Sequence, residues 1–194
     1  MAGINGSAVE AVRECAHEII GCVSAHNDDP TVGRERIIAA IQKLLRHADL
    51  FEVGLVRKTN HGDASKILYY DPKLMMVLGD TRKDRGDTQP HNHGVWLASA
   101  VYKGQVRYRE YSRADDMKTP GIANLNLVED RVLNPGDVGL TRPPPHDIHQ
   151  LSTLSDSYNV MVVTGGGFAP MRQYYDVERG TYVETLAGRG PDGN

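Results

Sequence analysis

The amino-acid sequence predicts a mainly β domain, a sandwich or barrel of short strands with a helical segment at its N-terminus. Three observations predict it. Apolar residues recur at helical spacing only in the first fifty positions of the 194-residue chain. Beyond Leu50 the apolar residues fall in short runs rich in Val, Leu and Tyr, many of them separated by turn signals. The chain is 40% hydrophobic and 24% charged, which places it among globular proteins with room for one full core.

The helices come first. Val9, Val12, Ala16, Ile19, Ile20 and Val23 form one face over Ala8 to Val23, with Ser7 as N-cap and Glu10 completing a capping box. Asn27-Asp28-Asp29-Pro30 ends that helix. Thr31 is placed to cap a second, whose buried stripe is Ile37, Ile38, Ile41, Leu44 and Leu45. Cys15 and Cys22 lie on the first helix with Cα atoms about 10.5 Å apart, too far for a disulfide. They read as reduced core residues, and a cytoplasmic location is the expectation that follows.

Strands are predicted at Val53–Arg57, Lys66–Tyr70, Leu74–Leu78, Gly94–Tyr102, Gln105–Tyr111, Leu125–Leu133, Val138–Thr141, Ser157–Thr164 and Arg172–Tyr175. The turn signals are Asn60 to Asp63, Lys103-Gly104, Asn134 to Asp137 and Gly165 to Gly167. The expected organisation is a helical segment over residues 1–50, a β-barrel over 51–187 and a flexible tail over 188–194. The net charge of −3 and the lack of a basic run argue against nucleic acid as a partner. No apolar run approaches the ~20 residues that cross a bilayer, and Met1 to Ser7 has no secretory pattern. A monomer and a homodimer are both compatible with the sequence.

Half of the eight histidines sit in two short segments, Gln89-Pro90-His91-Asn92-His93-Gly94 and Pro145-His146-Asp147-Ile148-His149. On an extended strand His91 and His93 face the same side, roughly 7 Å apart at the backbone. They and His149 can meet at one divalent ion. No cysteine lies near, which argues against a thiolate zinc site, and no carboxylate completes the two-histidine triad usual for iron. Fe(II), Mn(II), Ni(II), Cu(II) and catalytic Zn(II) remain open on spacing alone.

These residues resemble a known family. Pro-His-Asn-His-Gly-Val-Trp, followed by Val-Tyr-Lys-Gly and Tyr-Arg-Glu-Tyr, is similar to the first motif of cupins of the cysteine dioxygenase type. Pro-Gly-Asp-Val-Gly-Leu and Pro-Pro-His-Asp-Ile-His-Gln-Leu resemble the second, and the likeness runs over roughly residues 35–170. It implies a double-stranded β-helix, or jelly-roll barrel, with His91, His93 and His149 as ligands of Fe(II). The implied chemistry binds a small organic substrate and dioxygen side by side and puts oxygen into the substrate. Where that family has a carboxylate-clamping arginine, Ile67 to Asp71 offers Tyr69 and Tyr70; where it has a Ser-x-His-x-Tyr relay, Asn159 to Val163 offers none of the three residues. These departures argue against cysteine as the substrate.

Further candidates follow from placement. His146 is a candidate acid/base or hydrogen-bond partner of a ligand, or a loop residue; Tyr69 and Tyr70 are candidates near the chemistry. Gln89 shares the strand parity of the pair, Trp96 offers a stacking wall or core packing, Tyr108 and Arg109 sit on a strand flanking the interior, and Met161 makes an apolar patch. Asp80, Arg82, Lys83, Asp84, Arg85 and Asp87 form a charged loop that gates the site or is simply solvated.

Overall fold

The computed structural model describes residues 6–58, 64–82 and 87–186. The expected turn at 60–63, the tail at 188–194, loop residues Lys83, Asp84 and Arg85, and the side chains of Asp80 and Arg82 lie outside the described residues.

Helix α1 (Gly6–Ser24) and helix α2 (Arg34–Leu45) bury the stripes that their spacing dictates, among them Val12, Ala16 and Ile19 on one and Ile37, Ile41 and Leu44 on the other. They run antiparallel. Cys22, near the end of α1, donates its thiol to the Gly33 carbonyl at the start of α2, while Lys43, late in α2, reaches back to Glu14 at 3.0 Å. A Cβ at Gly33 would run into the Cys22 sulfur, so the helix junction needs glycine there. Thr31 does not cap α2. Its amide donates instead to the Asp29 carboxylate, closing the turn between the helices, and Gly33 takes the cap position without a side-chain bond. Both cysteines are free and buried.

The strands are β1 (Leu55–Lys58), β2 (Ala64–Tyr70), β3 (Met75–Arg82), β4 (Leu97–Lys103), β5 (Val106–Arg113), β6 (Leu125–Leu133), β7 (Val138–Leu140), β8 (Ile148–Thr153), β9 (Ser157–Thr164), β10 (Met171–Asp176) and β11 (Thr181–Leu186). One sheet runs β1-β2-β3-β9-β4-β7; a second holds β6-β5-β8 and a third β10-β11, and all the pairings are antiparallel. His91 bridges β8 on one side and β10 on the other, which joins the two smaller sheets into one wall. From β3 onward the chain crosses repeatedly between the six-stranded sheet and this composite wall. That alternation is a double-stranded β-helix, the jelly-roll solution to exposed sheet edges.

The six-stranded sheet is covered on both faces. Met76 and Leu78 of β3, Ala98 and Ala100 of β4, and Met161 and Val163 of β9 face outward into the core shared with α1 and α2. Their neighbours one residue along point into the barrel. Two-sided burial explains why Leu97–Lys103 and Ser157–Thr164 read as near-continuous apolar runs rather than alternating ones. Two strands lie beyond the predicted set. β8 carries His, Gln, Ser and Thr directly after a proline run, and β11 is an edge strand with little of its surface buried, so neither shows strong apolar patterning. The first histidine pair also precedes its expected strand: β4 begins only at Leu97, and His91 and His93 lie in the segment leading to it.

Candidate metal centre

Backbone pairing brings the two histidine segments together. His91 and His149 exchange both of their backbone hydrogen bonds, each at 3.0 Å, so they stand directly opposite one another across the ladder. On the other flank the Tyr175 amide donates to the Pro90 carbonyl and the Asn92 amide to the Gln173 carbonyl. His93 is held differently. Its amide and that of Gly94 both donate to one oxygen of the buried Asp147 carboxylate, at 2.9 and 2.7 Å. Gly94 has a φ of +71°, and a Cβ there would meet Ala169, so the chain turns into β4 at a position made for glycine.

The three imidazoles therefore converge. Their ring centroids lie 4.8 to 5.1 Å apart, and each histidine is less than a tenth exposed. One nitrogen from each falls within 4.8 Å of the others. The His91 Nδ1 lies 2.7 Å from the Gln89 carbonyl, which fixes a proton there and leaves Nε2 as the free lone pair. The Nε2 atoms of His93 and His149 stand 3.0 Å apart. Two metal–nitrogen bonds of about 2.1 Å at a right angle span about that distance. Burial, with the Arg172 charge as a lesser cause, holds His91 down to about 4 and the other two well below the ordinary histidine range. At neutral pH all three are uncharged, which is the ligating form. The donor set, its burial and its spacing fit a divalent cation.

A cavity of about 370 Å³ opens beside the rings. Val77 and Gly79 of β3, Leu97 of β4, and Val160 and Val162 of β9 form its wall, with the Phe168 ring tilted against that of His93 at 4.9 Å between centroids. Asp87 and Thr88 stand at its polar edge.

The other predicted site residues lie off this cavity. Tyr69 donates to Asp71 and packs under α1, while Tyr70 is two-thirds exposed. Trp96 and Met161 are buried in the helix-facing core, Met161 by one residue of strand parity from Val160 and Val162. Tyr108 fills the barrel interior away from the opening, its ring 6.3 Å from that of His149. Arg109 points to the solvent face, paired with Asp130 and Gln150. The Gln89 side chain donates to the Tyr175 carbonyl, so its link to the centre runs through its backbone. His146 is half-buried in the proline loop, with its Nδ1 unpartnered.

Several residues went unflagged. Asp147, two places before a ligand, clamps the other histidine segment. Arg172 on β10 points its guanidinium at the His93 Nδ1 at 3.0 Å. The cavity walls on β3 and β9 depend on strand pairings that no local pattern reveals. Fold and site together define a jelly-roll barrel carrying a three-histidine metal-binding group at its mouth.

No family model matches the sequence, and no curated protein matches it. Solved structures with a similar fold include an RmlC-like cupin from Shewanella frigidimarina, 18% identical over 60% of this chain and 86% of the other, with a TM-score of 0.43. KdgF from Halomonas sp. is 22% identical over 57% of this chain and 86% of that one, at a TM-score of 0.40. Hydroquinone 1,2-dioxygenase PnpCD, in complex with Cd2+ and 4-hydroxybenzonitrile, is 12% identical over 52% of this chain and 63% of that one, at 0.40. No helix among the described residues is long and apolar enough to cross a membrane.

Proposed function

We propose that this chain is a mononuclear non-haem iron(II) oxygenase of the cysteine dioxygenase-like cupin type, acting on a small organic substrate other than cysteine. The observation that carries the reading is the convergence of three neutral, buried imidazoles on the edge of an apolar cavity. His91, His93 and His149 would hold the ion. When bound, Fe(II) would offer a seat for two substrate heteroatoms and pass electrons from the substrate to dioxygen, with no external reductant. The protein's own groups orient and shield. The Gln89 carbonyl fixes the ring of His91, Asp147 anchors the backbone of His93, and the valines and Phe168 exclude water from the reacting end.

A redox-neutral lyase, isomerase or hydrolase that uses the ion as Lewis acid is the competing reading, and a buried acid or base facing the substrate would favour it. Among the described residues the one carboxylate lining the cavity is Asp87, and it is exposed and already accepts the Thr153 amide. His146 is not on the cavity wall. The test is anaerobic reconstitution with Fe(II), then oxygen uptake across thiols, aminophenols, enols and small acids. Substrate-dependent uptake that Zn(II) does not support is the expected result. Turnover without oxygen would transfer the assignment to the redox-neutral class, and unchanged ligand recovered after tight binding would make the protein a binding cupin.

A further inference from the structure

The cavity beside the three histidines has a chemical character that narrows what can occupy it. Beside the histidines, two of its described polar groups are already committed or peripheral. The Thr88 hydroxyl donates to the Leu151 carbonyl and accepts from the Leu151 amide, and Asp87 stands at the exposed rim. Neither lysine nor arginine lines it among the described residues. Arg172 meets the Nδ1 of His93 and the ring of Phe168 and is not among the residues that line the cavity. The rest of the lining is mostly aliphatic and aromatic, with Val77, Leu97, Leu151, Val160, Val162 and Phe168 beside Gly79 and Tyr158.

Two consequences follow from charge. Three neutral imidazoles leave a divalent ion with its full double charge, so an anionic chelating end such as an enolate, phenolate or hydroxamate is favoured at the metal. Among the described residues the one charged side chain on the lining is Asp87 at the exposed rim, so an ammonium or a second carboxylate deeper along the valine wall would be buried unpaired. A volume of about 370 Å³ lies at the small end of ligand pockets and suits a molecule of single-ring size.

Resting on the oxygenase reading above, we propose that the substrate is a small chelating organic molecule with an uncharged, apolar or aromatic body of about that size. The chelating end faces the histidines and the body lies along the β3–β9 wall. Zwitterionic amino acids and aminothiols find no buried partner for their ammonium among the described residues of that wall.

Co(II)-loaded protein tests this without turnover, because chelation perturbs the visible spectrum of the ion. Three hydroxamates share one chelating end: acetohydroxamic acid, benzohydroxamic acid, and glycine hydroxamate with its ammonium. Benzohydroxamic acid is expected to bind at least about tenfold more tightly than acetohydroxamic acid, and glycine hydroxamate at least about tenfold more weakly. Val162→Thr, which keeps the volume but adds a hydroxyl to the wall, should weaken benzohydroxamic acid several-fold and leave acetohydroxamic acid unchanged. Equal affinities, or a preference for glycine hydroxamate, would overturn the proposal while leaving the metal site standing. A folded protein that takes up no Co(II) would overturn the metal reading beneath it, and the substrate proposal with it.

Discussion

Arg172 sets the one contact at the histidine cluster that runs against metal binding. A guanidinium only donates, so the Nδ1 of His93 at 3.0 Å must accept. The neutral ring then carries its proton on Nε2, which points at the His149 Nε2. A ligating histidine usually donates its second N–H to a carbonyl or carboxylate, as His91 does to Gln89. Ligation by the His93 Nε2 therefore requires the proton to move to Nδ1 and Arg172 to turn away. Arg172→Gln supplies a carbonyl that can accept from Nδ1 and removes a charge facing the cluster. Its Co(II) affinity at pH 7, read by titration under competition with a chelator, should rise by about tenfold. Arg172→Lys, which keeps the charge and offers only donors, should show no gain. Equal affinity in the wild type and Arg172→Gln would mean that the guanidinium leaves the ring at no cost.

At the scale of elements, the limits of sequence reading come from strand parity and pairing. Both helices and nine strands show in the sequence because their apolar patterns are local properties of the chain. The ligand set is legible as well, since three histidines in two short segments carry a chemical signature independent of register. The wall residues are a different matter. Met161 and Val162 are neighbours with nearly interchangeable apolar character, and only the placement of β9 between β3 and β4 decides which meets the helices and which meets the cavity. Arg109 and Tyr108 divide in the same way: Arg109 stands opposite Gln150 on the solvent face, Tyr108 opposite Leu151 on the inner one. The division gives a clean contrast. Met161→Ala leaves a void between β9 and the helices and should lower stability to urea by about 2–5 kcal/mol, with Co(II) and hydroxamate affinities unchanged. A Met161→Ala protein that loses hydroxamate affinity in step with stability would show that the helix-side core and the cavity are not independent.

The whole molecule couples its stability to the protonation of the cluster, because the jelly roll closes only by burying three imidazoles at the junction of its sheets. In the unfolded chain each histidine titrates near its ordinary value of about 6.5. In the metal-free folded protein burial holds His91 down to about 4, and His93 and His149 lower than normal for the same reason. Below pH 6.5 the unfolded chain takes up protons that the folded one refuses. Stability must then fall as pH drops from about 6.5 through His91's folded value, and be fully present above that window. Two carboxyls act in the opposite sense. Burial raises Asp147 and Glu110, so each favours the folded state at low pH and loses that contribution as pH rises through its raised value. The histidine share is isolated by comparing urea midpoints between pH 7.5 and 5.5 for the metal-free wild type and for His149→Asn. The wild type should lose stability over that range, and the variant should lose less, because one titrating ring has been replaced by a neutral amide. Identical slopes would mean that the cluster is not buried as a neutral unit. Adding Co(II) should steepen the wild-type slope further, since protons then compete with the ion for the same nitrogens, and should leave His149→Asn nearly unmoved.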